Sequence, residues 1–332
     1  MGRFSLIVAS AAVCFGQAKP AAQNVPHVST RVHAGVTFRV ANRALHSPPT
    51  IIAYGDMRFT DPSNVTATNP SVRQALIARI AEEKPDVVLL TGDVPWHGGN
   101  AGDYTVYEAE TKPWRDAHLR VYPALGNHEF AQCQPEDCLE NWWQAFPVLR
   151  GRRWYSAQLG AEIYAIALDS DTSLLPQSEQ ARWLEAEIAS LPSSVKFVFI
   201  IMHHPPVADI QTKMFTDHNP RENEIALSKL VEANHKSAAK FIVIAGHIHN
   251  YERFEQNGVL YLVSGGGGAV PYPVERMPED AYQDPSFPNY HYLKFVLAGN
   301  TLKATMFRLA DPNTLAWEVK DSFVVGASKS KD

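Results

Sequence analysis

The chain has 332 residues, of which 45% are hydrophobic and 20% charged, and its formal net charge is −5 at pH 7. This is an ordinary globular composition, long enough for one large domain or two small ones. With no overall positive field, nucleic acid is not an expected partner, and any phosphate recognition has to be local.

At the N-terminus, Arg3 precedes an apolar run over residues 4–15, and Gly16-Gln17-Ala18 offers the small residues of a cleavage site. Residues 1–18 therefore read as a signal peptide, implying export to the periplasm or the exterior. The run is short for a membrane span, and no later stretch is long enough for one. Cys14 is a poor lipidation site because Phe15 follows it. Cys133 and Cys138 are then the remaining cysteines, and in an exported protein a small-loop disulfide is expected of them. A two-thiolate metal site is the weaker alternative, since no second pair completes it.

Residues 19–47 carry an extended stretch over 28–40, an edge strand or an arm, with no assigned chemistry. From Thr50 onward, short apolar runs alternate with loops and helices. The runs cover residues 51–54, 87–90, 121–125, 163–168, 197–202, 241–245 and 259–263. Between them, residues 71–84 place Val72, Leu76, Ile77 and Ile80 on one helical face, and residues 178–191 do the same with Ala181, Leu184 and Ile188. Strands alternating with helices imply a layered α/β domain. The closing runs 292–297, 301–309 and 317–325, with a turn at Gly299-Asn300, read as antiparallel hairpins and imply a second sheet.

Five apolar runs stop at residues of metal-binding type. They are followed by Gly55-Asp56-Met57-Arg58, Gly92-Asp93-Val94-Pro95-Trp96-His97, Gly126-Asn127-His128-Glu129, His203-His204 and Gly246-His247-Ile248-His249. Singly, each has a plain reading as a cap, turn or surface residue. Together they put carboxylate, amide and imidazole groups at the carboxyl ends of strands, where ligand sites of open α/β sheets assemble. Oxygen and nitrogen donors of this kind suit Fe, Mn or Zn. Tyr104, Tyr107, Trp114, Trp142 and Trp143 are expected mostly in the core. Gly265 to Gly268 lacks the lysine and helix of a phosphate-binding loop.

The ordered series Gly-Asp, Gly-Asp, Gly-Asn-His-Glu, His and Gly-His-x-His resembles the calcineurin-like metallophosphoesterases. Gly246 to Arg253 and Tyr261 to Gly268 are most similar to the purple acid phosphatase branch. The resemblance covers roughly residues 50–310. It implies a four-layer α/β/β/α sandwich of two mixed β-sheets flanked by helices, over residues 48–326, with a short polar tail at 327–332. It also implies a centre of two metal ions, divalent or trivalent. Asp93 would bridge them, Asp56 and His249 would bind the first, and Asn127, His203 and His247 the second. His128 would face the substrate and assist the leaving group. His204 is an outer-shell or substrate contact, with the reverse assignment of His203 and His204 open, and His218 is a further substrate candidate.

Two positions depart from that pattern. Arg58 and Trp96 stand where related chains carry a metal-ligating His or Tyr, and neither side chain can bind a metal. Either His97 supplies the missing ligand, or water does, or only one ion is bound. Arg58 is then a substrate contact or a structural ion pair. The expected activity is hydrolysis of a small phosphate ester, monoester or diester, by attack of metal-activated water. The alternative is a non-catalytic or mononuclear phosphate-binding domain with a degenerate first site.

Overall fold

The computed structural model of the chain describes residues 35–234 and 239–327. The expected signal peptide and Cys14 lie outside them, as does most of the polar tail. The chain begins with β1 (Phe38–Val40), β2 (Thr50–Tyr54), α1 (Pro70–Glu83), β3 (Val87–Leu90), α2 (Ala101–Glu110), α3 (Lys112–Asp116) and β4 (Arg120–Pro123). Next come α4 (Pro135–Ala145), β5 (Tyr155–Leu159), β6 (Ile163–Ala167), α5 (Glu179–Ala189), β7 (Phe197–Ile201) and α6 (Glu222–Asn234). Last are β8 (Lys240–Ala245), β9 (Tyr251–Gln256), β10 (Val259–Ser264), β11 (His291–Ala298), β12 (Thr301–Asp311) and β13 (Ala316–Gly326).

Local signals start the helices where the apolar spacing requires them. The Asn69 side chain accepts the Val72 N–H at 3.2 Å and Pro70 fills the first turn of α1, which buries Val72, Leu76, Ile77 and Ile80. Ser178 caps α5 in the same way through the Ala181 N–H. At the start of α4, Cys133 and Cys138 form a disulfide with their Cα atoms 5.7 Å apart.

The strands form two mixed sheets, one ordered β1-β5-β6-β7-β8-β10-β9 and the other β13-β12-β11-β2-β3-β4. β7 shows how the layers arise. Phe197, Phe199 and Ile201 point into the core between the sheets, while Val198, Ile200 and Met202 pack against Trp183, Leu184 and Ile188 of α5 and Leu227 and Val231 of α6. Phe199 meets Phe295 of the opposite sheet edge-to-face at 5.1 Å. Trp114 of α3 covers the six-stranded sheet, packing against Tyr54 and donating to the Ile77 carbonyl. The result is two sheets face to face with helices outside both, the four-layer α/β/β/α sandwich.

The closing hairpins do not build a sheet of their own. β11 pairs antiparallel with β2, Leu293 opposite Ala53, so the C-terminal strands complete the sheet that the first motifs began. Tyr104, Tyr107, Trp114 and Trp142 are buried in the core. In the six-stranded sheet β2, β3 and β4 run parallel and in register, and β7 and β8 do so in the other. Their carboxyl ends therefore deliver all five motifs to one edge of the sandwich.

Candidate metal centre

Three side chains meet around the Nε2 atom of His203. Asn127 Oδ1 lies 2.9 Å from it, Asp93 Oδ1 3.2 Å and His247 Nδ1 3.3 Å. His203 Nδ1–H donates to the Thr91 carbonyl at 3.0 Å, which fixes the ring so that Nε2 carries its lone pair toward the others. Each atom is near enough to His203 Nε2 to share an ion with it at about 2.0–2.1 Å, and the mutually close groups around that ring are Asp56–Asp93–His203 and His203–His204–His247. Burial pushes the His247 and His249 imidazoles below their ordinary range, His249 to about 3, so both stay in the neutral, ligating form.

Beside this group, Asp56 accepts the His247 N–H through both carboxylate oxygens, and Asp56 Oδ1 lies 3.4 Å from His249 Nε2. His249 Nδ1–H donates to the Val270 carbonyl at 2.6 Å, and among the described residues its buried Nε2 has no hydrogen-bond partner. Burial pushes the Asp56 carboxyl up to about 7. Burial acts on Asp93 too, but the neighbouring His203 and His128 rings, the Arg58 guanidinium and the His128 N–H outweigh it and hold that carboxyl well below the usual range. One oxygen atom settles how well this second position could take a cation. Asp93 Oδ2 accepts from Arg58 Nη2 at 3.1 Å and Arg58 Nε at 3.3 Å. The His203 position therefore fits a metal ion, whereas the Asp56–His249 position has lost its share of Asp93 to a guanidinium.

The backbone that aims these groups is unusual. Asp56, Arg58, Asp93 and His247 all adopt left-handed φ, at 64°, 49°, 53° and 69°. Such conformations persist in non-glycine residues only where surrounding structure enforces them, and they concentrate at functional sites. Here the enforcement is a ladder across the two loops: Asp56 N–H to the Gly92 carbonyl, Arg58 N–H to the Asp93 carbonyl and Phe59 N–H to the Val94 carbonyl. Gly126 is required by space. A Cβ there would stand 2.5 Å from Asp93 Oδ1 and 2.8 Å from the His203 ring.

His128 faces the centre from the same loop. Its Nδ1–H donates to the Trp96 carbonyl at 2.6 Å, its ring stacks on the Trp96 indole at 4.6 Å, and its Nε2 is 3.9 Å from Asp93 Oδ2. Burial pushes its pKa down. His204 is turned to Ser170, Nδ1 to Oγ 2.8 Å, yet its ring centre is 4.3 Å from that of His247. His203, His204 and His247 thus also form a close triad, and the exchanged assignment stays geometrically available. His218 lies on the rim, 4.6 Å from the His247 ring. His97 is turned away, its Nε2 against the Gln132 amide at 3.1 Å, so it does not fill the place that Trp96 leaves.

Two residues essential to this arrangement were not anticipated. The buried Glu129 carboxylate accepts the N–H groups of Gly126, Asp93 and Val94 at 2.7, 3.1 and 2.9 Å, clamping the second and third motif loops together. Its place in Gly-Asn-His-Glu was the only signal. Tyr272 donates its hydroxyl to the His247 carbonyl at 2.8 Å and accepts from His218 Nδ1–H at 2.7 Å. It sits in a loop without a motif.

A model of the family described as calcineurin-like phosphoesterase matches residues 49–251. The chain belongs to the calcineurin-like phosphoesterase family. Within this phosphoesterase family it is similar to purple acid phosphatase 15 of Arabidopsis thaliana, 26% identical over 275 residues, covering 72% of this chain and 48% of the relative. A protein of Arcobacter nitrofigilis named "Probable glycerophosphodiester phosphodiesterase" is 27% identical over 190 residues, covering 54% of this chain and 63% of that one. Among solved structures, a purple acid phosphatase from yellow lupin superposes with a TM-score of 0.69 at 18% identity, over 85% of this chain and 54% of the lupin chain. The chain therefore spans less than two thirds of the length of each of these relatives.

Proposed function

We propose that the chain hydrolyses small phosphate esters at a metal centre held by Asp93, Asn127, His203 and His247, with Asp56 and His249 beside it. The observation that carries this reading is the convergence of three donor atoms on His203 Nε2 within 3.3 Å. An Fe, Mn or Zn ion bound there would lower the pKa of water and offset charge on the phosphoryl group. His128, with Nδ1–H committed to Trp96, presents Nε2 as the atom that exchanges a proton with the leaving oxygen. Arg58, beside Asp93, and His218, beside the His247 ring, would offer donors to the phosphoryl oxygens. His204, held by Ser170, supports the His247 ring.

A non-catalytic phosphate-binding domain is the second reading, and the Arg58 contact with Asp93 is what favours it. Reconstitution with Mn, Fe or Zn, followed by metal analysis and assays with p-nitrophenyl phosphate and its bis-ester, separates the two. Bound metal with turnover of either ester supports the enzyme, and the ratio of rates assigns monoester or diester preference. Metal without turnover of any phosphate ester supports the binding domain. We also propose export after cleavage behind Ala18, in keeping with the Cys133–Cys138 disulfide. N-terminal sequencing of the secreted protein, beginning at Lys19, is the test.

A further inference from the structure

Arg58 is built into the centre in a way that a surface arginine is not. Its guanidinium makes two hydrogen bonds to a single oxygen, Asp93 Oδ2, while Asp93 Oδ1 turns to His203 and the His128 N–H. The carboxylate that would bridge two ions is thus divided, one oxygen facing the His203 ligand set and the other neutralised by a fixed cation. The guanidinium is also held from elsewhere. It lies 5.2 Å above the Trp96 ring, and that ring is stacked on His128. The Arg58 backbone is pinned in its left-handed conformation by the N–H bond to the Asp93 carbonyl, and its own carbonyl accepts from Arg73. The side chain is only 15% exposed.

The remaining candidates for a first ion are few. Asp56 Oδ1 and His249 Nε2 face each other at 3.4 Å, and the third donor within reach, Asp93, is bonded through Oδ2 to the guanidinium; among the described residues Trp96 and Arg58 cannot ligate and His97 is engaged by Gln132. A divalent ion there would also sit against a permanently charged guanidinium and compete with it for the same oxygen. We propose that this chain carries one metal ion per molecule, in the His203 position, and that the Arg58 guanidinium takes the place and the charge of the second. This inference rests on the reading of the centre as a metal site and refines it.

Metal analysis of the reconstituted, desalted full chain tests it, with Mn, Fe and Zn each used as the probe. Wild type is expected to retain 1 ion per chain, and Arg58→His, which puts an imidazole two residues after Asp56, about 2. The Mn-loaded wild type is expected to give the paramagnetic resonance signal of an isolated ion, a readout independent of any variant's folding. Two ions in wild type, or the spectrum of an exchange-coupled pair, overturns the proposal while leaving the phosphoesterase reading intact. No retained ion overturns both. One ion in wild type with Arg58→His and Arg58→Ala, each folded by circular dichroism, still at one overturns the role given to Arg58.

Discussion

Replacing Glu129 with Ala is the sharpest test of how the centre is held. The carboxylate is about 1% exposed and accepts three backbone N–H groups, from Gly126, Asp93 and Val94. Its removal leaves three buried donors without partners, each costing about 1–3 kcal/mol, and adds a small cavity. Against this, burial and the nearby Asp93 push the Glu129 carboxyl up to about 8, so the wild-type group is itself held at a cost that the variant relieves. The balance is a loss of about 3–5 kcal/mol, a large part of the roughly 5–15 kcal/mol available to a folded domain. Urea unfolding of the metal-free chain reads it as a lower midpoint at similar slope. Because the same N–H groups position Asp93 and the Asn127 loop, metal retention is expected to fall with it. Glu129→Gln keeps one acceptor oxygen and turns an amide N–H₂ toward a donor, so it is expected to fall between Ala and wild type. A loss under about 1 kcal/mol with full metal content would refute the clamp.

Asp93→Asn is expected to lose metal and activity together, since Asp93 contacts both the His203 ligand set and Arg58; a loaded, active Asn variant contradicts the assignment. His128→Ala should keep its metal and lose about 10²–10⁴ in turnover, the usual contribution of a positioned proton-transfer group. Asp209, away from the centre, packs with Glu252, Asp280 and Arg276, and burial pushes its carboxyl up to about 7. The native chain then keeps a proton that the unfolded chain releases from about pH 4 upward, so this group's contribution is fully present below that pH and lost as pH rises to about 7. Relative to wild type, Asp209→Asn should gain stability across that window; a difference independent of pH would refute the shift.

What the amino-acid order determined was local. Runs of β-branched and aromatic residues, alternating in facing as in β7, specify strands, and the Asn69 and Ser178 caps with their periodic apolar residues specify α1 and α5. The five polar strand endings were legible for the same reason, because a glycine and a ligand-type side chain directly after an apolar run need no knowledge of distant residues. Tertiary structure alone decided three matters. β11 pairs with β2 across some 240 residues of chain, a long-range choice made by sheet packing rather than by propensity. His97 faces Gln132, and Tyr272 and Glu129 hold the loops, because side-chain direction follows backbone conformations that only the assembled loops enforce. Above all, Arg58 is two residues from Asp56 in sequence, yet its partner is Asp93. The left-handed turn at positions 56 to 58 swings the guanidinium across to the neighbouring strand's carboxylate, and a buried negative oxygen is satisfied by the nearest fixed cation.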